Sequence, residues 1–154
     1  MVIWLIGISG SGKSTLSNLI IKKYPNFNLI DGDMLRQTIS KDLGYSEEDR
    51  IKNHIRACNL INPKLDYIVS MVTPTESIRH LIKELVQDVK FVFINRSLES
   101  CMKNDVKGLY KKFGSNLNVP FQKPSAFDLE INTDLLTIEE SFQKLDNFIR
   151  GIDG

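Results

Sequence analysis

The phosphate loop, which we define as residues 7–14, constrains this chain more than any other stretch. It reads Gly-Ile-Ser-Gly-Ser-Gly-Lys-Ser and fits the pattern G-x-x-x-x-G-K-[ST]. In this pattern backbone N–H groups wrap a polyphosphate, the lysine reaches the terminal phosphates, and the last hydroxyl binds Mg²⁺. An apolar run precedes the loop, and helical spacing follows it from about Ser14, so a helix N-terminus is expected to face the anion.

The phosphate loop therefore predicts a site for a purine nucleoside triphosphate with Mg²⁺. The residues expected to contact the nucleotide are Gly10, Ser11, Gly12, Lys13, Ser14 and Thr15. The alternative interpretation is an ordinary glycine- and serine-rich turn between a strand and a helix.

The composition is that of an ordinary globular chain without a strong charge. The sequence has 154 residues, 42% hydrophobic and 25% charged, with a formal net charge of +1. This length predicts a single domain over residues 1–154. The balanced charge predicts neither nucleic acid polymers nor acidic membranes as partners. The apolar N-terminus has no basic leader, so we expect neither a signal peptide nor a membrane span there.

The two cysteines, Cys58 and Cys101, are far apart and form no C-x-x-C motif. This spacing favours reduced, buried thiols in a cytoplasmic protein over a disulfide framework or a metal site.

Short apolar segments that are typical of strands alternate with helical patterns along the chain. The predicted strands are residues 2–6, 27–30, 67–72, 91–94 and 129–131. The alternation predicts an α/β three-layer sandwich, a mostly parallel sheet with helices on both faces and the site at its C-terminal edge. We expect Asp33 and Ser46 to cap two of the helices, and Ile138 in the last helix to face the core.

Two carboxylates, Asp31 and Asp33, follow the second predicted strand, which we expect next to the phosphate loop. An acid there could hold Mg²⁺-bound water or accept a proton from an acceptor hydroxyl; the alternative is an Asx turn with a helix cap. Ser70 and Asn95 stand near the ends of two other strands, where water-activating phosphohydrolases usually have an aspartate. This difference favours a kinase over a hydrolase.

A basic segment at residues 105–112 reads Asp-Val-Lys-Gly-Leu-Tyr-Lys-Lys. A kinase needs cations around the transferred phosphoryl group and a lid that excludes water. Three lysines and a flexible glycine therefore predict a mobile lid over about residues 103–126. The alternative is a solvated helix face.

Four segments together resemble the ordered motif set of the adenylylsulfate kinases (APS kinases). They are residues 7–15, 31–36, 42–53 and 105–112, with a weaker similarity at 120–124. The resemblance implies the P-loop nucleotide kinase fold and a kinase that uses ATP and Mg²⁺. It also implies a small nucleotide as acceptor, phosphorylated at its ribose 3′-hydroxyl, with adenylyl sulfate as the reference.

The resemblance also implies roles for individual residues. Asp31 and Asp33 match carboxylates that activate the hydroxyl and help hold Mg²⁺, with Asp31 the preferred base and Asp33 a metal ligand alongside Ser14. Lys13 would bind ATP and take part in catalysis, and Lys107 would bind ATP when the lid closes. The acceptor-binding positions would be Arg36, Tyr45, Arg50 and Asn53, with the ring of Tyr45 stacking on the acceptor base and the arginines binding an anionic ester.

Departures from the family pattern concentrate on the acceptor side. The N-F-T-G-like string expected after Lys112 is missing, and Asn104 replaces an arginine. After Asn53, His54 and Ile55 stand beside a single arginine. A change of acceptor would produce this distribution, so a kinase of cytidine diphosphoramidate in surface-polysaccharide biosynthesis is one alternative. A non-catalytic nucleotide-binding module is another, and a homodimer is left open.

Overall fold

The computed structural model describes residues 1–105, 107–113 and 121–153 of the 154. The strands within this part of the chain are β1 (Val2–Ile6), β2 (Phe27–Asp31), β3 (Asp66–Met71), β4 (Val89–Asn95) and β5 (Leu129–Asn132). The helices are α1 (Lys13–Lys23), α2 (Gly32–Gln37), α3 (Glu47–Asn59), α4 (Glu76–Leu85), α5 (Leu98–Lys103), α6 (Leu109–Phe113) and α7 (Ile138–Asp153).

The strands form one parallel sheet in the order β2-β3-β1-β4-β5. The predicted sandwich class is confirmed, but the expectation that β2 lies next to the phosphate-loop strand is wrong. β3 separates β2 from β1, and Ser70 pairs with Leu5 on one side and with Asp31 on the other. Burial explains the order, because five of the six β3 residues are buried, whereas β2 exposes Asn28 and Leu29 and so suits an edge.

Alternate side chains of β1 pack into two apolar layers, one on each face of the sheet. Trp4 packs in the layer beneath α3 and α4, where Ala57 and Ile82 are fully buried. Leu5 packs in the layer beneath α1 and α7, against residues such as Ile20. Helices therefore cover both faces, and in such sheets a ligand site is expected at the carboxyl edge of the central strands.

The start of α2 corrects one prediction, because Asp31 rather than Asp33 caps this helix. Asp31 has extended backbone angles, and its Oδ1 accepts hydrogen bonds from the amides of Asp33 at 2.9 Å and Met34 at 3.4 Å. The helix begins at Gly32, earlier than predicted, so Asp33 already lies in the first turn. The predicted Ser46 cap of α3 is confirmed, since its hydroxyl accepts from the amide of Asp49 at 3.1 Å.

A buried hydrogen-bonded group holds the turn after β3. Thr73 has φ of 52°, a left-handed value that is rare for a β-branched residue. The indole Nε1 of Trp4 donates to Thr73 Oγ1 at 2.9 Å, and the Nε of Arg79 donates to the Thr73 carbonyl at 3.0 Å. Arg79 also donates to Glu76 at 2.5 Å and to the carbonyl of Gln122 at 2.6 Å. These bonds tie the turn after β3 and the start of α4 to Gln122 in the predicted lid.

Part of the predicted lid, at residues 106 and 114–120, lies outside the described residues. Its described part contains α5, Lys107 and α6. Among the residues described, no helix combines the length and the apolar character needed to span a bilayer.

Candidate active site

A cavity of about 580 Å³ opens at the carboxyl ends of the central strands. It is lined by every predicted site residue except Asp31. These residues are Gly10, Ser11, Gly12, Lys13, Ser14, Thr15, Asp33, Arg36, Tyr45, Arg50, Asn53 and Lys107. The motifs that are separate in the sequence thus surround one space.

The phosphate loop packs too tightly against its surroundings to accept a side chain at Gly10. Gly10 has φ of 82°, and a Cβ there would lie 2.9 Å from the carbonyl oxygen of Cys101. Tyr110 donates to the carbonyl of Ser9 at 2.6 Å, and Arg96 donates to that of Gly10 at 3.1 Å. α5, α6 and the end of β4 therefore support the loop from behind and keep its backbone close to the cavity.

Lys13 at the start of α1 is almost fully buried, with 7% of its surface exposed. Its Nζ donates to the carbonyls of Gly7 at 2.7 Å and Ile8 at 2.9 Å. Burial, and next the nearby Lys107 ammonium, lower the pKa of Lys13 from 10.5 to about 8. The ammonium lacks a direct carboxylate partner in the hydrogen bonds of the described residues, as expected for a cation that binds an added anion.

Asp31 and Asp33 occupy different positions around Ser14. The hydroxyl of Ser14 donates to Asp31 Oδ2 at 3.2 Å, and Asp31 Oδ1 caps α2, so both oxygens of Asp31 have partners. Asp33 instead lines the cavity, and Lys107 donates to its Oδ2 and, at 3.0 Å, to Ser14 Oγ.

The oxygen atoms around Ser14 fit a hard cation. The described residues contain no cluster of three or more His, Cys, Asp or Glu side chains that could hold a metal ion. A site of one hydroxyl and one carboxylate matches Mg²⁺, which usually keeps several waters and binds through few protein oxygens together with substrate phosphates. Ser14 and Asp33 are the residues that fit this role.

Two arginines and an aromatic ring form the opposite end of the cavity. The guanidinium of Arg36 lies 4.0 Å from the ring centroid of Tyr45, and Arg36 also donates to the carbonyl of Gly44. Arg50 on α3 is only 8% exposed, and burial, followed by the charge of Arg36, lowers its pKa. Two guanidinium groups so close together favour an anionic ligand.

The arginine that follows Asn53 in the sequence has a structural role instead. Arg56 donates to both carboxylate oxygens of Asp42, at 2.7 and 2.9 Å, and to the carbonyl of Ile39 at 3.0 Å. It ties α3 to the segment after α2 and does not line the cavity.

Several cavity residues were not predicted. His54 lies beside Asn53 on α3, and its position four residues after Arg50 could have placed it on the same helix face. Arg96, just after β4, donates to the amide oxygen of Asn104 at 2.8 Å, and both residues line the cavity. A guanidinium is therefore present beside Asn104, the position where the family has an arginine, although no sequence motif indicated Arg96.

The start of α7 corrects the prediction for Ile138. This residue is 63% exposed and lines the cavity instead of facing the core. It is the first residue of α7, and Thr137 just before it also lines the cavity. Leu136 and Thr133 line the same region, on the far side of the phosphate loop from Tyr45.

The sequence and the structure were both compared with known proteins. The family model described as adenylylsulphate kinase matches residues 1–132. The adenylyl-sulfate kinase of Gloeothece citriformis is 35% identical over 94% of this chain and 91% of its own length. That of Bacillus pumilus is 33% identical, over 97% of this chain and 84% of its own length.

Among solved structures, the APS kinase CysC of Mycobacterium tuberculosis in complex with AMPPNP and APS superposes with a TM-score of 0.87. It is 28% identical, and the match covers 97% of this chain and 96% of that one. Sequence and structure agree with the arrangement of motifs around one cavity, and the chain belongs to the adenylylsulphate kinase family.

Proposed function

We propose that this protein is an ATP-dependent kinase that transfers the γ-phosphate to the ribose 3′-hydroxyl of adenylyl sulfate. One observation carries the proposal: the phosphate loop, Asp33 and the two arginines Arg36 and Arg50 all line a single cavity. The relatives named as adenylyl-sulfate kinases support the same assignment.

The donor end of the cavity suits ATP. The phosphate loop and the buried Lys13 ammonium would bind the β- and γ-phosphates, and the apolar side chains of Leu136 and Ile138 would contact the nucleoside. Ser14 and Asp33 would hold Mg²⁺. When bound, this ion neutralises charge on the phosphates.

The two carboxylates divide their roles in this proposal. Asp33 lines the cavity and would accept the proton of the sugar hydroxyl. Asp31, although the sequence favoured it as base, has both oxygens engaged by Ser14 and by the amides of α2. We therefore assign Asp31 as the residue that orients the Ser14 hydroxyl and the first turn of α2.

The acceptor end suits a nucleotide with an anionic ester. Arg36 and Arg50 would bind its charged oxygens, and Asn53 would add a hydrogen bond from the buried face of α3. The ring of Tyr45 would stack on the base, which requires the Arg36 guanidinium to share or leave that face of the ring.

The test is an ATP-consumption assay with adenylyl sulfate and cytidine diphosphoramidate side by side. We expect adenylyl sulfate to stimulate ATP consumption, and Asp33→Asn to abolish it while ATP affinity stays nearly intact. A protein that binds ATP but phosphorylates neither acceptor would contradict the kinase assignment and favour a non-catalytic nucleotide-binding module. If cytidine diphosphoramidate alone is phosphorylated, it replaces adenylyl sulfate as the acceptor, and the proposed phosphoryl transfer from ATP stands.

Some broader expectations belong to the same proposal. We propose a single domain over residues 1–154 with a mobile lid at about 103–126, in which Lys107 approaches the phosphates. The cytoplasmic location is supported by Cys58 and Cys101, both free and buried. The expected partner is a small nucleotide acceptor. A homodimer is the expected assembly if the protein self-associates, and sedimentation would test it.

A further inference from the structure

Two buried hydrogen-bond acceptors on α3 have no partner among the described residues. They are Oδ1 of Asn53 and Nε2 of His54, which belong to side chains with 2% and 4% of their surface exposed. Both residues line the acceptor end of the cavity. Buried polar atoms are nearly always paired in folded proteins, so two neighbouring exceptions in one cavity wall call for a ligand that pairs them.

The hydrogen bonding of His54 determines what its free nitrogen can do. Its Nδ1 lies 2.6 Å from the carbonyl oxygen of Arg50, and a carbonyl only accepts, so Nδ1 carries the proton. Burial, the largest effect, lowers the pKa of His54 to about 4, so the ring is neutral at physiological pH. Nε2 therefore presents a lone pair and no proton.

The position of the ring is fixed. The imidazole stacks on Trp4, with centroids 6.5 Å apart and planes 20° from parallel. Rotation of the ring to satisfy Nε2 elsewhere would break the bond from Nδ1 to Arg50. The unpaired acceptor is consequently a built part of the cavity wall, next to the arginines that favour an anionic ligand.

We propose that the acceptor nucleotide carries an uncharged NH₂ group that donates its two hydrogens to Asn53 Oδ1 and His54 Nε2. An NH₂ group has two donors and so matches two acceptor atoms on adjacent residues, whereas a hydroxyl has only one. The inference rests on the proposed function and assigns Asn53 and His54 as the residues that select its acceptor. Either an exocyclic amine of the base or an amide on the terminal phosphoryl group supplies this chemistry.

Equilibrium binding in the presence of Mg²⁺ and ADP separates the two sources. One arm compares adenylyl sulfate with its inosine counterpart, which lacks the base amine. The other compares cytidine diphosphoramidate with cytidine diphosphate, which keeps the base amine and lacks only the amide. Because a buried acceptor left unpaired is costly, we expect the ligand with the tested NH₂ group in at least one pair to bind about tenfold to a hundredfold more tightly than its counterpart.

The variant His54→Phe keeps a ring for Trp4 and removes the acceptor. We expect the affinity ratio of the discriminating pair to fall to about one while the ligand that lacks the tested NH₂ group binds as before, and His54→Gln, whose amide oxygen accepts, to restore part of the ratio. His80→Phe is the matched control, because His80 is exposed on α4 outside the cavity, and should leave the ratio unchanged.

Equal binding of both members of both pairs by the wild-type protein would overturn the inference. An affinity ratio that stays at the wild-type value in His54→Phe would overturn it as well. Either result would mean that Asn53 Oδ1 and His54 Nε2 bind only water. If His54→Phe fails to fold by circular dichroism, His54→Leu takes its place because it also removes the acceptor: a ratio near one in that variant supports the inference, and a full wild-type ratio overturns it. Discrimination in binding without any turnover would keep this inference and reject the kinase function, whereas turnover without discrimination would do the opposite.

Discussion

Lys107 donates a hydrogen bond to Asp33, although 74 positions separate them in the sequence, and the same ammonium contacts Ser14 at 3.0 Å. The lysine of the predicted lid therefore contacts the two residues that we propose bind Mg²⁺. Ammonium and metal ion would compete for the same oxygens, so our proposal requires Lys107 to leave them when Mg²⁺ binds.

The variant Lys107→Met tests this competition. Both side chains of the ion pair are more than one-third exposed, so its loss should lower the half-saturating Mg²⁺ concentration by no more than about fivefold. The loss of a cation near the transferred group should lower kcat by about a hundredfold or more. Steady-state kinetics at varied Mg²⁺ measures both, with Lys111→Met on α6 as control. An unchanged kcat would exclude Lys107 from the reaction.

The pKa of Lys13, lowered to about 8, predicts a pH dependence of ATP binding. The protonated form binds phosphate, so affinity should fall as the pH rises through 8. Because bound phosphates favour the ammonium, binding at pH 8 to 9 should take up a proton. Calorimetry in buffers of different ionisation enthalpy detects this uptake. Binding without proton exchange at pH 8.5 would contradict the lowered pKa.

Gly10 and Gly108 provide a matched pair of glycine substitutions. Both have positive φ, 82° and 69°, so alanine at either position costs about 1–2 kcal/mol of backbone strain. At Gly108 a Cβ meets nothing within 4 Å, whereas at Gly10 it meets the carbonyl of Cys101. We expect Gly10→Ala to lose clearly more unfolding free energy and to weaken ATP binding at least about tenfold. Equal losses in urea denaturation would argue against the tight contact.

His54 also predicts a change of stability with pH. Its pKa is about 4 in the folded protein against 6.5 ordinarily, so the unfolded chain takes up the proton first as the pH falls. The resulting loss of stability begins near pH 6.5 and ends near pH 4, and it amounts to about 3 kcal/mol. Urea denaturation should show this loss in the wild-type protein and in His80→Phe but not in His54→Phe. Parallel curves for all three would mean that His54 titrates normally.

Arg79 should be the arginine on which folding depends most strongly. Its side chain is 4% exposed and bonds Glu76, Thr73 and Gln122, so Arg79→Met leaves a buried carbonyl unpaired and releases Gln122 of the predicted lid. We expect a loss of about 3–5 kcal/mol in unfolding free energy. Arg150→Met, on the exposed side of α7, is the control and should cost under about 1 kcal/mol. Similar losses in both variants would contradict this assignment.

The sequence predicted those parts of the molecule that depend on local patterns. Apolar runs located each strand within about two residues, and the loop pattern with its glycines located the nucleotide site. The order of the strands was not accessible, because it depends on which strand tolerates exposure, as Leu29 in β2 does. The same limit applies to Ile138, whose helical spacing indicated the core but whose side chain lines the cavity.

The missed site residues have a common cause. Arg96 and His54 acquire their roles from neighbours distant in sequence, Gly10 and Asn104 for the arginine and Trp4 for the histidine. No spacing rule encodes such contacts. Asp31 and Asp33 were recognised as a pair, but their separate roles emerged only from the hydrogen bonds that each one makes.

The packing of Trp4 has a practical consequence for experiments. It is the single tryptophan of the chain, and it is buried in β1 and stacks on the histidine of α3. Tryptophan emission of the unlabelled protein therefore originates at one point next to the acceptor pocket, so a titration with an acceptor can be followed optically without introducing a dye.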